Sequence, residues 1–219
     1  MPPEVIATNA TDSVGVGDLD LLVALRSAQD EVGAVFQVLV NAVARPGSIH
    51  QMSSIPAGVV PAAIPVLVVA DLRTPLAVVG PDSEALAAAL GRVSGASIAG
   101  DLGSARIVLV SASGSLTTDV IWALRTGSAH QPELGATVFV SCDRLVQATS
   151  DTAGAFRTSG PGASDGRWLV ADGIDLSAIR ELDGVNSGYP SGVDLFLVAR
   201  NGSVVALPRS NRLLVTGEV

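Results

Sequence analysis

The sequence contains no lysine, because all 13 basic residues are arginine. A chain without lysine cannot form an internal Schiff base with pyridoxal phosphate or a carbonyl substrate. It also cannot supply the lysine of a P-loop or of a kinase site. The only cysteine is Cys142, so an internal disulfide and a cysteine-rich metal site are both excluded. His50 and His130, the only histidines, are far apart in sequence, and we expect neither a metal nor a cofactor.

Positive charge is scarce as well, since the formal net charge is −8. This balance argues against a nucleic-acid or anionic-membrane binder, which needs a basic stripe. The longest weakly polar stretch, residues 58–70, is too short to span a bilayer and contains Pro61 and Pro65. The first residues lack the basic start and apolar run of a signal peptide. We therefore expect a cytoplasmic protein that binds neither nucleic acid nor membrane.

Apolar residues are abundant in comparison, at 48% of the 219 residues, whereas charged residues make up 16%. A typical globular domain has about 25% charged residues. The composition predicts a large core and a sparsely charged surface, part of which we expect to be buried against other subunits. Residues 1–17 are polar and lack periodicity, and we expect a flexible N-terminal arm there. Residues 18–219 show no repeat or linker, so we predict a single domain.

The first half of that domain alternates helices and strands. Apolar residues spaced by three and four from Asp18 to Val43 predict a helix, with Gly33 as a possible break and Arg45-Pro46-Gly47 as its end. Further helices are predicted over residues 61–71, after Asp82 or Ser83, after Ser115 or Thr117, and over residues 176–182, and strands over residues 49–52, 76–79, 106–110 and 137–140.

The second half has the pattern of antiparallel hairpins. Strands are predicted over residues 155–159, 168–171, 193–199 and 203–207, and Asn201-Gly202 is a strong two-residue hairpin signal between the last two. Alternating helices and strands followed by hairpins indicate an α/β fold. We predict a three-layer sandwich around a central mixed sheet.

Most motifs of enzyme chemistry are incomplete. The glycine-rich stretch at residues 160–166 has one residue too many for a dinucleotide-binding loop and no helix after it, so we interpret it as a hairpin turn. Residues 111–115 lack the first glycine of a nucleophile elbow, and we interpret their hydroxyls as helix caps. Cys142 follows a buried strand and is expected to be an inert thiol. No catalytic residue is assigned.

Two sets of side chains can each be interpreted in two ways, one functional and one structural. His130 and Glu133 lie in a loop, where they fit either the acid–base residues of a small-molecule hydrolase or solvated surface groups. Arg209 and Arg212 follow the last hairpin. Arginine is well shaped to grip phosphate or carboxylate, but it also pairs commonly with surface Asp or Glu.

Four motifs in a fixed order resemble the PhnH family of the bacterial carbon–phosphorus lyase system. They comprise the helix end at residues 36–47, the Thr-Gly-Ser and Pro-Glu-Leu-Gly segments at residues 126–137, Ser-Gly-Pro-Gly at residues 159–162, and Tyr-Pro-Ser-Gly-Val-Asp at residues 189–194 with the Leu-Pro-Arg that follows the hairpin. The motifs extend from about residue 30 to the end of the chain.

The resemblance implies a fold, partners and a function. The fold would be a three-layer α/β sandwich similar to the large domain of pyridoxal-phosphate-dependent transferases, without the cofactor. The protein would be a homodimer in isolation and would join PhnG, PhnI and PhnJ in a core complex. That complex converts ATP and an alkylphosphonate to α-D-ribose 1-alkylphosphonate 5-triphosphate and displaces adenine. This subunit would have an accessory, structural role.

An alternative to that role is a subunit that binds a phosphate, a phosphonate or a nucleotide through arginine side chains. An unrelated small-molecule hydrolase is the other alternative. The residues that we single out as candidate ligand or interface positions are His130, Glu133, Tyr189, Asp194 and Arg209.

Overall fold

The computed structural model describes residues 19–216. Its α-helices are α1 (Leu19–Ser27), α2 (Gln29–Ala44), α3 (Ala63–Val69), α4 (Ser83–Ser94), α5 (Thr118–Ala123) and α6 (Leu176–Asn186), and a 3₁₀ helix spans Pro132–Leu134. Its strands are β1 (His50–Gln51), β2 (Leu76–Val79), β3 (Ile107–Val110), β4 (Thr137–Cys142), β5 (Arg144–Ala148), β6 (Phe156–Gly160), β7 (Ala163–Asp172), β8 (Asp194–Ala199), β9 (Ser203–Leu207) and β10 (Arg212–Val215). The arm predicted for residues 1–17 lies outside the described residues, and the single domain predicted for residues 18–219 stays a prediction.

The central sheet is mixed, as the sequence predicts, with the strand order β1-β9-β8-β4-β3-β2. Strands β2, β3, β4 and β8 run parallel, and β8, β9 and β1 pair antiparallel. In the parallel part, Ile107, Thr137 and Asp194 lie side by side at the start of their strands. The amino ends of β3, β4 and β8 therefore form one continuous edge of the sheet.

A second, antiparallel sheet of order β10-β6-β7-β5 was not predicted. The sequence pattern led us to expect the later strands around one central sheet, and β5 and β10 were not predicted at all. In β5 only Leu145 is buried, and in β10 buried Leu213 and Val215 alternate with exposed residues. Such short alternating strands give a weak signal, and the pattern does not show which sheet a strand joins.

Two hydrophobic cores lie on the two faces of the central sheet. On one face, helices α1–α4 cover side chains such as Leu109 and the stacked pair Phe139 and Phe196, whose ring centroids are 5.0 Å apart. On the other face, the second sheet and helices α5 and α6 contribute to one core with the central sheet, for example through Phe156 and Ile179. Helices on both faces of a mixed sheet confirm the α/β class.

The helix predicted from Asp18 is interrupted, but not at Gly33. Helix α1 ends at Ser27 and α2 begins at Gln29, and between them Ala28 leaves the helical region with φ −80° and ψ 87°. Gly33 lies inside α2, where a Cβ atom at its position would meet only open space. Glycine costs about 1 kcal/mol relative to alanine inside a helix, and a helix of 16 residues absorbs this cost.

Other local predictions are confirmed. Arg45-Pro46-Gly47 ends α2, Thr117 caps α5 by accepting a hydrogen bond from the Val120 N–H, and Pro161-Gly162 turns between β6 and β7. Within residues 19–216, no helix is long and apolar enough to cross a membrane.

Candidate functional site

An open groove with a volume of about 920 Å³ lies at the amino edge of the central sheet. It lies on the face of the sheet that carries α2 and α3. We call it the amino-edge groove. It is lined by Phe36, Leu39, Val40, Val43, Ala44, Val69, Asp71, Arg73, Thr74, Arg106, Ile107, Glu133, Gly135, Thr137, Phe139, Asp194, Leu195, Phe196, Ala206, Pro208 and Arg209.

The floor and one wall of the groove are apolar. The floor contains the stacked rings of Phe139 and Phe196. The wall is formed by α2, on which Phe36, Val40 and Val43 are spaced by four and three residues and therefore share one helix face. These three side chains are 49%, 45% and 46% exposed. An apolar wall thus stays open to solvent along the groove.

The end of the groove is fixed by a clamp between Arg209 and Asp194. The Nη2 atom of Arg209 donates to Oδ2 of Asp194 at 2.6 Å, its Nε atom donates to the same oxygen at 3.0 Å, and its backbone N–H donates to Oδ1 at 2.9 Å. Nη1 donates to the Pro132 carbonyl oxygen at 2.6 Å. The Arg209 side chain is 13% exposed, so the clamp is largely shielded from water. It joins β8, the 3₁₀ helix and the segment after β9.

Gly135 makes room for this clamp. A Cβ atom at this position would come within 2.5 Å of Nη1 of Arg209 and would also clash with the Gly192 carbonyl oxygen. Its φ of −63° is ordinary, so close approach rather than backbone conformation requires glycine here.

Two further arginines lie at the mouth of the groove. Arg106 precedes β3 and uses Nη2 to donate to the Glu133 carbonyl oxygen at 2.9 Å. Within residues 19–216, the guanidinium of Arg73 has no hydrogen-bond partner. Asp71 accepts hydrogen bonds from the Thr74 hydroxyl and from the Arg73 backbone N–H, and these hold the pKa of Asp71 below its ordinary value. Charges of both signs therefore meet at the mouth.

The structure brings together three of the five candidate residues. Glu133, Asp194 and Arg209 all line the groove. His130 is exposed on the turn before the 3₁₀ helix, and Tyr189 is 64% exposed beyond α6, and neither lines the groove. Arg212, the other arginine noted after the hairpin, pairs with Asp183 at 2.7 Å.

Sequence reasoning missed other groove residues, above all Arg73, Arg106 and Asp71. Arg106 carried a usable signal, because it directly precedes a strand whose four residues are all buried, and so belongs at the sheet edge. Arg73 and Asp71 lie in a polar turn after α3 and carry no such signal. Within residues 19–216, no group of three or more His, Cys, Asp or Glu residues is placed to hold a metal ion.

The opposite, carboxyl edge of the sheet carries a different cluster. Asp143, after β4, accepts hydrogen bonds from the Ser113 hydroxyl at 2.9 Å and from Nε of Arg200 at 2.8 Å. The first of these is the larger cause of its lowered pKa. The sequence predicts a helix-capping role for the Ser113 hydroxyl. This prediction is wrong, because the hydroxyl binds the Asp143 carboxylate. The neighbouring Cys142 is buried, as the sequence predicts, and burial raises the pKa of its thiol to about 12.

A comparison with models of protein families shows to which family the chain belongs. The sequence model of the bacterial phosphonate metabolism protein PhnH matches residues 24–214. The chain belongs to the PhnH family. The matched range contains every residue of the amino-edge groove, from Phe36 to Arg209. No curated protein sequence matches the chain. Membership of the PhnH family implies a role in phosphonate metabolism, as the resemblance predicted.

Proposed function

We propose that the chain is an accessory, structural subunit of the carbon–phosphorus lyase core complex. In that role it joins PhnG, PhnI and PhnJ in converting ATP and an alkylphosphonate to α-D-ribose 1-alkylphosphonate 5-triphosphate. Its membership of the PhnH family supports the pathway. The open α2 wall of the groove is the observation that carries the structural role.

The α2 wall has the chemistry of a protein interface. Phe36, Val40 and Val43 lie on one helix face, and each leaves nearly half of its surface in water. Covering apolar surface of this kind releases about 25 cal/mol for each Å² removed from water. A partner subunit can cover the wall in the complex, and a second copy can cover it when the chain is alone. The second arrangement gives a symmetric homodimer.

The proposal includes two further points about the fold and the compartment. We infer a relationship to the large domain of pyridoxal-phosphate-dependent transferases without their cofactor, which the absence of lysine supports. We also infer a cytoplasmic location, where the ATP that the reaction consumes is found.

Co-expression with PhnG, PhnI and PhnJ tests the structural role. Val40→Glu places a charge on the wall, and Val146→Glu places the same charge on the second sheet, where Val146 is 37% exposed. We expect the wild-type chain and Val146→Glu to co-purify with the three partners. Val40→Glu is expected to lose at least tenfold of this capture, because the charge would have to be buried unpaired.

Circular dichroism and thermal unfolding of each purified variant serve as the control for folding. Capture of Val40→Glu at the wild-type level would show that the α2 wall is not part of the interface. A wild-type chain that fails to co-purify with any partner would contradict the structural role itself.

A further inference from the structure

His50 occupies a position where a positive charge is poorly accommodated. It lies on β1 directly opposite Val204 of β9, so both side chains lie on the face of the central sheet that helices α1–α4 cover. Its Nε2 atom is buried and has no hydrogen-bond partner in the described part of the chain. The charged groups that act on the ring are Arg45, which follows α2, and Arg167 on β7, and both are positive. Residues 37–44 of α2 and strand β9 contain no titratable side chain.

This environment favours the neutral form of His50. In neutral imidazole one nitrogen is a bare acceptor, whereas in the protonated ring both nitrogens are N–H donors. Protonation would therefore place a charged Nε2–H where the described residues provide no acceptor, and near two guanidinium groups. Burial, and after it the charges of Arg45 and Arg167, lower the pKa of His50 from its ordinary value of 6.5.

The segment that follows α2 is held by side chains of the second sheet. Arg167 donates from Nη1 to the Pro46 carbonyl oxygen at 2.6 Å, and Gln147 donates from Nε2 to the Gly47 carbonyl oxygen at 2.8 Å. We call the segment Arg45-Pro46-Gly47 the α2 turn. Arg167 therefore has two effects, because it holds the α2 turn and its charge opposes protonation of the imidazole ring on β1.

We propose that protonation of His50 releases the α2 turn from the second sheet, so that the end of α2 opens as the pH falls. The imidazolium repels the guanidinium groups of Arg45 and Arg167, and movement of Arg167 away from the ring breaks its hydrogen bond to the turn. Opening also exposes the ring to water, where its charged form is stable. The α2 turn is thus a pH-sensitive contact between the helix that forms the wall of the groove and the second sheet.

Linkage between protonation and opening gives the direction and the size of the effect. The open form binds the proton more tightly, so the closed form is most stable above pH 6.5 and loses stability as the pH falls from 6.5 toward the lower pKa of the closed form. At pH 5, about 1.5 pH units below the ordinary value, the equilibrium constant for opening has risen by at most about thirtyfold. We expect a rise of at least about threefold between pH 7.5 and pH 5.

Hydrogen exchange of the full chain alone at pH 7.5 and pH 5 tests the inference. The Gly47 amide, which donates to the Ala206 carbonyl oxygen at 3.2 Å, and the last amides of α2 report opening of the turn. After correction for the intrinsic pH dependence of exchange, we expect their protection to fall at least about threefold at pH 5. Their protection at pH 5 should also be lower than that of the amides of β3, whose four residues are all buried.

Substitution of each histidine assigns the pH dependence, since the chain has only two. His50→Gln keeps a polar side chain that does not become charged, and we expect the protection of its α2 turn to be the same at both pH values. His130→Gln is the matched control, because His130 is exposed in the loop between α5 and β4. We expect this variant to retain the full wild-type change. The ratio between the two pH values is compared, so a constant loss of stability in either variant does not affect the result.

Proton NMR titration of the imidazole ring provides a second measurement that does not require His50→Gln to fold. In His130→Gln, without a histidine tag, His50 is the only histidine and its signal is unambiguous. We expect its titration midpoint in the folded chain to lie below 6.5. Addition of Arg45→Gln should raise this midpoint, because Arg45 is exposed and contributes a positive charge that opposes protonation.

Three results would overturn the inference. These are equal protection of the α2 turn at pH 7.5 and pH 5, a full pH dependence in His50→Gln, and a titration midpoint of His50 at or above 6.5. The measurements contain no partner subunit, so they are decided independently of the structural role. Where the α2 wall docks a partner, capture should also decrease at pH 5, and this consequence alone rests on the proposed function.

Discussion

The two edges of the central sheet both carry an Arg–Asp pair, but the pairs lie in different surroundings. At the amino edge, the Arg209 and Asp194 side chains are 13% and 32% exposed. At the carboxyl edge, the Arg200 and Asp143 side chains are 78% and 40% exposed, although their closest N–O distance, 2.7 Å, is nearly the same. Similar distances thus occur in a shielded and in a solvated pair.

This difference assigns different roles to the edges. A shielded pair costs desolvation and is held by several hydrogen bonds, so removal of one partner leaves a charge that is poorly solvated. A solvated pair contributes little, because water and salt replace it readily. The amino edge therefore holds a largely shielded pair with several hydrogen bonds beside an open groove, whereas the carboxyl edge carries exposed contacts that can be changed at small cost.

The largest expected difference between the two edges is the loss in free energy of unfolding when the carboxylate of each pair is removed. We expect Asp194→Ala to lower the free energy of unfolding by about 3 kcal/mol, because Arg209 loses every carboxylate contact while it stays mostly buried. Asp143→Ala, the matched substitution at the carboxyl edge, is expected to cost about 0.5 kcal/mol. Urea unfolding of both variants at pH 7 measures the difference. Equal losses would show that exposure does not distinguish the two pairs.

A substitution that leaves the charges intact sharpens the comparison. Gly135→Ala is expected to lower the free energy of unfolding by about 2 kcal/mol, because the added methyl group must displace the Arg209 guanidinium or the Gly192 carbonyl. Gly184→Ala on α6 is the control, since its Cβ would meet nothing within 4 Å. We expect it to stabilise the chain by up to about 1 kcal/mol. Thermal unfolding that shows the same change for both variants would contradict a tight fit at Gly135.

The sequence predicts those parts of the fold that depend on neighbouring residues. The all-apolar β3 and the helix end at Arg45-Pro46-Gly47 each depend on a few adjacent residues, and the structure has them. The structure also has the hairpin at Asn201-Gly202, although its loop contains Arg200 as a third residue. The second sheet depends on distant pairing instead. Leu213 of β10 pairs with Thr158 of β6, and no local pattern selects that partner.

The residues of the candidate site also divide into those that a local motif identifies and those that only distant pairing brings together. Glu133, Asp194 and Arg209 lie in segments with recognisable motifs, so sequence alone singles them out. Arg73 and Arg106 join them only because β3, β4 and β8 lie side by side with α3 nearby, and this arrangement requires the strand order. Residues brought together by topology rather than by a motif are therefore the part of the groove that the sequence could not supply.

The smallest expected effect concerns the pH dependence of the carboxyl edge. The Ser113 hydroxyl, and after it Arg200, lower the pKa of Asp143 from its ordinary value of 3.8. A carboxylate whose pKa is lower in the folded than in the unfolded chain stabilises the fold above the unfolded value. This stabilisation is lost as the pH falls through the lower, folded value. The difference of about 0.5 kcal/mol between wild type and Asp143→Ala should therefore be constant from pH 7 to about 5 and decrease below pH 4.

Urea unfolding at a series of pH values, with Asp143→Asn as a second variant, measures this decrease. The asparagine keeps an acceptor for the Ser113 hydroxyl but carries no charge, so its difference from wild type isolates the contribution of ionisation. A difference between wild type and Asp143→Asn that grows as the pH falls would reverse the sign of the argument. It would mean that Asp143 is held in its protonated form, and the carboxyl edge would then resemble a buried site more than the exposed cluster with Arg200 and Ser113 described above.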